Sequence, residues 1–331
     1  MKQKLRKWLV AIAAITALVV SVACGGGSLQ QSLPATGEDT TSPCHMVSHA
    51  AGETCVPDNP QRVVDLVGLD YALSLGIKPI ASDGLYQANL YLKEETDGIE
   101  NVGKNDVPNL ERIVELKPDL IIGGSYVDVN YQLLSDIAPT VILPYDYSGQ
   151  WKDVFMQYAA TLGLTEKAEQ VMARYYDHTQ EFQQQMGSRA AETEVSIVRV
   201  YPTQTNLYLK ESFPGTVIAD VGLSRPPSQN FTASDAQTVF GNYIQYTISQ
   251  EKIPDIDGDV LFLWTFGHRD DIAQDAKSAK EALKADPLWS TLSAVQQDRV
   301  YEVPGEYWIG DGPMAANLII DDLFKYLIEE N

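Results

Sequence analysis

Cysteine is scarce: the 331 residues hold three. That excludes a disulfide-dense small scaffold and leaves room for one intrachain bond and one odd thiol. Histidine is nearly as scarce, with four residues, His45, His49, His178 and His268. A zinc or manganese centre built from several histidines has little to draw on. Basic residues are few, 24 Lys and Arg against 45 Asp and Glu, for a formal charge of −21. Residues 1–23 carry four of the basic side chains and no acidic one, so the remainder holds 20 against 45. Such a chain repels nucleic acid phosphates and anionic lipid, and an anionic ligand would need a local basic island. Catalytic motifs are missing too: there is no Gly-x-Ser-x-Gly elbow, no His-Glu-x-x-His and no Walker loop. An enzyme has no candidate constellation here.

What is present starts with an export signal. Lys2, Lys4, Arg6 and Lys7 precede an uncharged apolar stretch from Trp8 to Ala23. It is shorter than the ~20 residues a membrane-spanning helix needs and ends in the small residues of "SVAC", as cleaved signals do. A cysteine directly after such a stretch is the bacterial lipoprotein arrangement, which makes Cys24 the expected acylated N-terminus, with Ser21 where the usual lipobox carries leucine. Ordinary cleavage nearby and an uncleaved anchor are the other readings, and all three place the protein outside the cytoplasm. "GGGSLQQSLPATGEDTTSP" follows and reads as a flexible tether. With Cys24 lipidated, Cys44 and Cys55 remain as one pair in an oxidising compartment. They bracket "CHMVSHAAGETC", which also holds His45, Met46 and His49, so a disulfide and a metal site are both open at this point.

Beyond the tether, strands and helices alternate. "RVVDLV", "PDLIIGG" and "PTVILPYD" read as buried strands. "LDYALSLG", "NLERIVEL" and "NYQLLSDIA" read as helices between them, the first ending at Gly76. "TEKAEQVMARYYDHTQEFQQQMG", Thr165 to Gly187, is one long helix with Ala168, Val171, Met172, Tyr175, His178 and Phe182 on its inner face. At 1.5 Å per residue it extends roughly 33 Å, enough to join two lobes. The order then restarts with the strand "EVSIVRVY" and a helix ending at Gly222. "EKIPDIDGDVLF" from Glu251 parallels "ERIVELKPDLII" from Glu111, and "GPMAANLIIDDLFKYLIEE" closes the chain as an amphipathic helix with Pro313 in its first turn. The expected fold is α/β: two Rossmann-like lobes joined by a single long α-helix, with a ligand cleft at the carboxyl ends of the strands. The expected boundaries are a signal at 1–23, a tether at 24–43, a first lobe at 44–164, the joining helix at 165–187 and a second lobe at 188–331.

"NPQRVVDL", "NVGKNDVPNLERIVELKPDLIIGGSY", "ESFPGTVIADVGLSRP", "ISQEKIP" and "DPLWSTLSAVQQDRVYEVPGEYW" follow one another in an order that resembles a known family. It is that of the substrate-binding lipoproteins of iron-chelate ABC importers, the helix-linked two-lobe class that takes ferric siderophores, haem or cobalamin. The resemblance implies a non-enzymatic extracytoplasmic monomer, held to the membrane by its lipid. It would capture a citrate- or hydroxamate-type ferric siderophore and pass it to permease subunits. The iron arrives wrapped in its chelator, so no cofactor and no protein metal ligands are implied. Haem or cobalamin is the alternative cargo, with His268 or Tyr126 as a conceivable haem ligand. A free-metal binder, an enzyme and a surface adhesin fit less well.

Arg199 stands inside the apolar run "SIVRVY". A charge there must be paired or face a ligand, and relatives place an arginine at this step. Lys104 after "NVG" matches a loop that offers a cation. Tyr126 follows the strand "LIIGGS", and Tyr243 and Trp308 match aromatic loops of the second lobe. Tyr86 and Trp264 stand at or just past strand ends. For each aromatic, core packing is the competing reading. Glu111 and Glu251, one per half, match the surface glutamates that dock on the permease; favourable placement at helix N-termini would equally account for them. In the family the Cys44–Cys55 region is a β-hairpin. A Cys44–Cys55 disulfide is the expectation this implies, although with "AAGE" as the turn Cys55 would face Ser48, and the bond would then require the chain to fold back at Cys44.

Overall fold

The computed structural model describes residues 43–104, 107–125 and 130–329. Residues 1–42, with Cys24 and the tether up to that point, lie outside them. The first lobe opens with an antiparallel hairpin, β1 (Cys44–His49) and β2 (Gly52–Pro57). β3 (Val63–Leu66), β4 (Ala81–Ser82) and β5 (Glu100–Asn101) follow, then a short antiparallel pair, β6 (Gly103–Lys104) and β7 (Val107–Pro108). β8 (Leu120–Gly124) and β9 (Thr140–Leu143) complete a parallel sheet in the order β5-β4-β3-β8-β9. The long helix Thr165–Met186 then leads to the second lobe, ending at Gly187 with φ 60°. There β10 (Val195–Val200), β11 (Thr205–Tyr208), β12 (Gln245–Ile248), β13 (Val260–Trp264) and β14 (Val300–Glu302) form a sheet in the order β12-β11-β10-β13-β14.

Strand parity builds three packed layers. Odd residues of β10 (Val195, Ile197) and even residues of β13 (Val260, Phe262) join Leu120 and Ile122 of β8 in one inner core running through both lobes. Val198, Val200, Leu261 and Leu263 face an outer core of the second lobe. Val64, Leu66 and Ile121 face an outer core of the first. β8, β10 and β13 are mostly apolar because both of their faces are covered.

Ala168, Val171, Met172, Tyr175 and Phe182 of the long helix are buried as the periodicity predicts. His178 is half-buried, stacked on Phe324 at 5.3 Å, with Nδ1 2.9 Å from Asn317 Oδ1. The C-terminal helix Pro313–Phe324 packs on the long helix, on helix Phe213–Asp220 and on helix Leu69–Ser74 of the first lobe. Asp70 caps it across the lobes, accepting from Met314 N at 2.9 Å and Ala315 N at 2.8 Å. The first N–H groups of a helix need acceptors from outside it; Pro313 has none to satisfy, and the first lobe accepts from the next two residues.

The two halves match less closely than the sequence repeat suggests. β3-β8-β9 and β10-β13-β14 are the same parallel unit, but β11 and β12 run antiparallel where β4 and β5 run parallel. The segment from Glu251 is a 3-10 helix, Gln250–Ile256, with Pro254 inside it, where an uninterrupted α-helix is disfavoured. Its counterpart Leu110–Leu116 is an α-helix capped by Asn109.

The hairpin also turns one residue earlier than "AAGE" would place it, which shifts the pairing by two. His49 pairs with Gly52, so Ala50 and Ala51 form the turn, and Cys55 faces Met46 while Cys44 faces Pro57. Cys44 and Cys55 are disulfide-bonded diagonally across this register, with Cα atoms 5.5 Å apart; no fold-back is needed, since diagonal neighbours lie on one face. The histidines between them are used locally. His45 lies 3.0 Å from Asp58 Oδ1 and 3.2 Å from the Thr161 carbonyl, and His49 lies 2.9 Å from Thr54 Oγ1.

Candidate ligand-binding site

Arg199 occupies the carboxyl end of β10, on the face of the inner core, beside its parallel partner Trp264. Only 8% of the residue is exposed. Its guanidinium carbon lies 4.0 Å from the Tyr201 ring centroid, 4.8 Å from that of Trp264 and 6.0 Å from that of Phe266. Nη1 donates to the Tyr208 hydroxyl at 3.1 Å, and Nε is buried without a partner. Among the described residues no carboxylate forms an ion pair with Arg199, so the sequence alternative of a core salt bridge is not what the structure contains. Ring faces offset part of the desolvation cost of the cation without neutralising it. Burial raises the Tyr208 hydroxyl well above the usual phenol range despite the opposing pull of Arg199, so it stays protonated.

A second buried arginine stands behind this cage. Arg225 is 6% exposed. Its Nη2 donates to the Tyr208 carbonyl and to Gln229 Oε1, while Nε and Nη1 have no partner. Burial pushes its guanidinium down to about 9.

The remaining sequence candidates separate into groups. Tyr243, 37% exposed, stacks on Tyr147 of the first lobe with centroids 5.2 Å apart and planes 20° from parallel. Phe213 N donates to Ser148 Oγ at 3.2 Å beside this pair, so the two lobes meet there. Trp264 is buried beneath Arg199 and supports the cage from below. Trp308 is a correction: it is fully buried, donates from Nε1 to Asp322 at 2.8 Å and packs 4.9 Å from Phe262. The short helix Gly305–Trp308 turns the indole into the core, where it anchors the C-terminal helix instead of walling a ligand. Tyr126 lies outside the described residues, as do the side chains of Lys104, in β6, and Tyr86, in helix Leu85–Leu92. His268 is exposed. Glu111 and Glu251 are both exposed in the first turn of their helices, and Ser249 holds the Glu251 carboxyl below its usual range.

Sequence reasoning missed Tyr201, Tyr208, Tyr147 and Arg225. Tyr201 was within reach, because period two puts it on the face of Arg199. Tyr208 arrives through the β10–β11 pairing, where Arg199 faces Asn206.

A separate cavity of about 310 Å³ lies between the lobes, lined by residues including Asp70, Asp83, Tyr91, Tyr145, Tyr147 and Asp311. It shares Tyr147 with the stacked tyrosine pair but none of the residues around the Arg199 guanidinium. Burial and the nearby Asp70 and Asp65 carboxylates hold Asp311 well above the usual carboxyl range. Among the described residues the lining of this cavity includes no lysine or arginine, so the cage, with its buried guanidinium, is the better candidate for an anion.

Two α/β lobes joined by one helix, with a buried arginine at a strand's carboxyl end, form the frame of a ligand-binding protein. The chain belongs to the periplasmic binding protein family, whose pattern it matches over residues 65–307. It is 33% identical to the probable siderophore-binding lipoprotein YfiY of Bacillus subtilis, over 95% of this chain and 96% of that one. It is 29% identical to the achromobactin-binding periplasmic protein of Dickeya dadantii, over 80% and 86% of the two chains. Its fold superposes on the crystal structure of Staphylococcus aureus SirA complexed with staphyloferrin B, with a TM-score of 0.75 at 28% identity, covering 86% of this chain and 98% of that one.

Proposed function

We propose that this protein is the extracytoplasmic substrate-binding component of an ABC importer, capturing a ferric siderophore and handing it to the permease. One observation carries the reading: Arg199 is a desolvated guanidinium with no ion-paired carboxylate among the described residues, held by aromatic faces at a strand's carboxyl end. Carboxylate or hydroxamate oxygens of a citrate- or hydroxamate-type chelate would complete its hydrogen bonds in the planar geometry that arginine favours. The siderophore-binding names of the relatives point the same way. Tyr243 and Tyr147 flank the ligand in this reading, and Lys104, Tyr86 and Tyr126 form its first-lobe side. Glu111 and Glu251 contact the permease, and lipidated Cys24 tethers a monomer to the membrane.

Titration of purified protein with ferric citrate and with a ferric hydroxamate, followed by tryptophan quenching, tests the proposal. Submicromolar binding is expected. Arg199→Ala should weaken the anionic chelate by about tenfold or more, equivalent to ~1.4 kcal/mol. Haemin or free zinc binding in place of ferric chelates would overturn the siderophore reading, and an unchanged affinity in Arg199→Ala would move the site elsewhere.

A further inference from the structure

β10 and β11 separate at one end of their ladder, where pairing stops at Val198 and Leu207. Beyond that point two side chains occupy the place of a strand. Gln229, fully buried, accepts from Ile197 N at 2.9 Å through Oε1 and donates from Nε2 to Ser196 Oγ at 2.6 Å. Arg225 bonds the same Gln229 oxygen and reaches the Tyr208 carbonyl on the other strand. The pair is a wedge that sets the spacing of the two strands where the ladder has ended. Tyr208 is the residue on which it acts, because its carbonyl is held by Arg225 while its hydroxyl holds Arg199.

We infer that Arg225 is a positioning residue for Arg199: it fixes Tyr208 between β10 and β11, and Tyr208 aims the ligand-facing guanidinium. A structural filler alone does not need this residue type. A buried cation without an acid partner is costly, and an apolar side chain of similar volume would fill the space without that penalty. What a methionine could not do is hold the Tyr208 carbonyl and the Gln229 amide oxygen together. Arg225 also places a second desolvated positive charge behind the first in a strongly acidic protein, which favours an anionic ligand over a neutral one.

The inference rests on the ligand role given to Arg199, so its test has one arm with ligand and one without. In the first arm, Arg225→Met and Arg225→Lys are titrated with ferric citrate, alone and combined with Arg199→Met. Arg225→Met should raise Kd by about tenfold in the native background but by less than about twofold when Arg199 is already Met, the signature of coupled residues. Equal losses in both backgrounds would overturn the proposal. In the second arm, crystal structures of the ligand-free variants report where Arg199 sits. Loss of the Arg199–Tyr208 hydrogen bond in Arg225→Met supports the proposal, and an unmoved Arg199 sinks it even if no ferric chelate binds. Should Arg225→Met not fold, Arg225→Lys carries both arms: its ammonium keeps the charge without the planar fork. A displaced Arg199 with weaker binding is the expected result, and a native pose with native affinity is the overturning one.

Discussion

Asp70 and Gly312 approach so closely that a Cβ on Gly312 would lie 2.3 Å from the Asp70 carboxyl carbon. The contact exists because Asp70, on a helix of the first lobe, reaches over Gly312 to the free N–H groups of Met314 and Ala315. Ser74 and Tyr91 donate to the same carboxyl at 3.1 and 3.2 Å. Hydrogen bonds to a buried charged group are worth roughly 1.5–3 kcal/mol each at most, and removing such a cap leaves several donors stranded. Asp70→Ala should therefore lower the urea-unfolding free energy by about 3 kcal/mol. Gly312→Ala should cost a comparable amount by displacing the carboxyl. Stability within about 0.5 kcal/mol of the parent in both variants would show that the cap is dispensable.

Stability should depend on pH through the carboxyls between the lobes. Burial raises the pKa of Asp65, Asp70 and Asp311, the last well above the usual range. Between the ordinary carboxyl range and these raised values the folded chain binds more protons than the unfolded one, so stability falls as pH rises through that window. Backbone and tyrosine donors moderate the rise at Asp65 and Asp70. Asp311→Asn should raise the melting temperature at about pH 8 and flatten its slope between about pH 5 and 8. A shift of equal size at every pH would mean that this carboxyl does not titrate in the window. Glu251 and Glu302 have lowered values and act oppositely, their contribution being lost only as pH falls through them.

The diagonal disulfide closes a short loop in a hairpin that lies on β9, where Ala50 N donates to the Ile142 carbonyl at 2.9 Å. Chain-entropy arguments assign such a loop about 2–3 kcal/mol. Cys44→Ser with Cys55→Ser should lower the unfolding free energy by that amount while leaving ferric chelate affinity unchanged. Mass mapping of oxidised protein should find no free thiol at either position, and free thiols at both would contradict the bond.

Glu111 and Glu251 are exposed, and neither contributes to the cage. Replacing both with arginine should leave ferric chelate Kd within about twofold yet cut uptake of radiolabelled iron about tenfold, as expected when like charges meet across a docking surface. Unimpaired uptake would assign these residues to helix-end electrostatics alone.

Much of this architecture was legible from local pattern. Gly76 and Gly222 end helices with φ of 72° and 80°, as their positions after apolar helical runs foretold. The long helix shows itself through its 3.6-residue period. A lone arginine in "SIVRVY" signals a charge that must be paired or face a ligand, because charge there is costly. The misreadings are non-local. "TNLY" and "QYTI" are too short and polar to announce β11 and β12, and the antiparallel turn they create is what brings Tyr208 to Arg199. Nothing local in "LSRPPSQ" announces a buried arginine; Arg225 is buried where the pairing of β10 and β11 has ended. Trp308 follows a strand and a proline, as a cleft aromatic might, but one helical turn points it inward.

The C-terminal helix has a consequence for the order of folding. Its N–H groups are the partners of Asp70 and its apolar face completes the inner core beneath the first lobe. The first lobe therefore has to wait for residues that lie 244 positions further along the chain. A chain threaded out from its N-terminus holds an unfinished first lobe until this helix arrives, and a premature stop before it would leave both halves open to proteases.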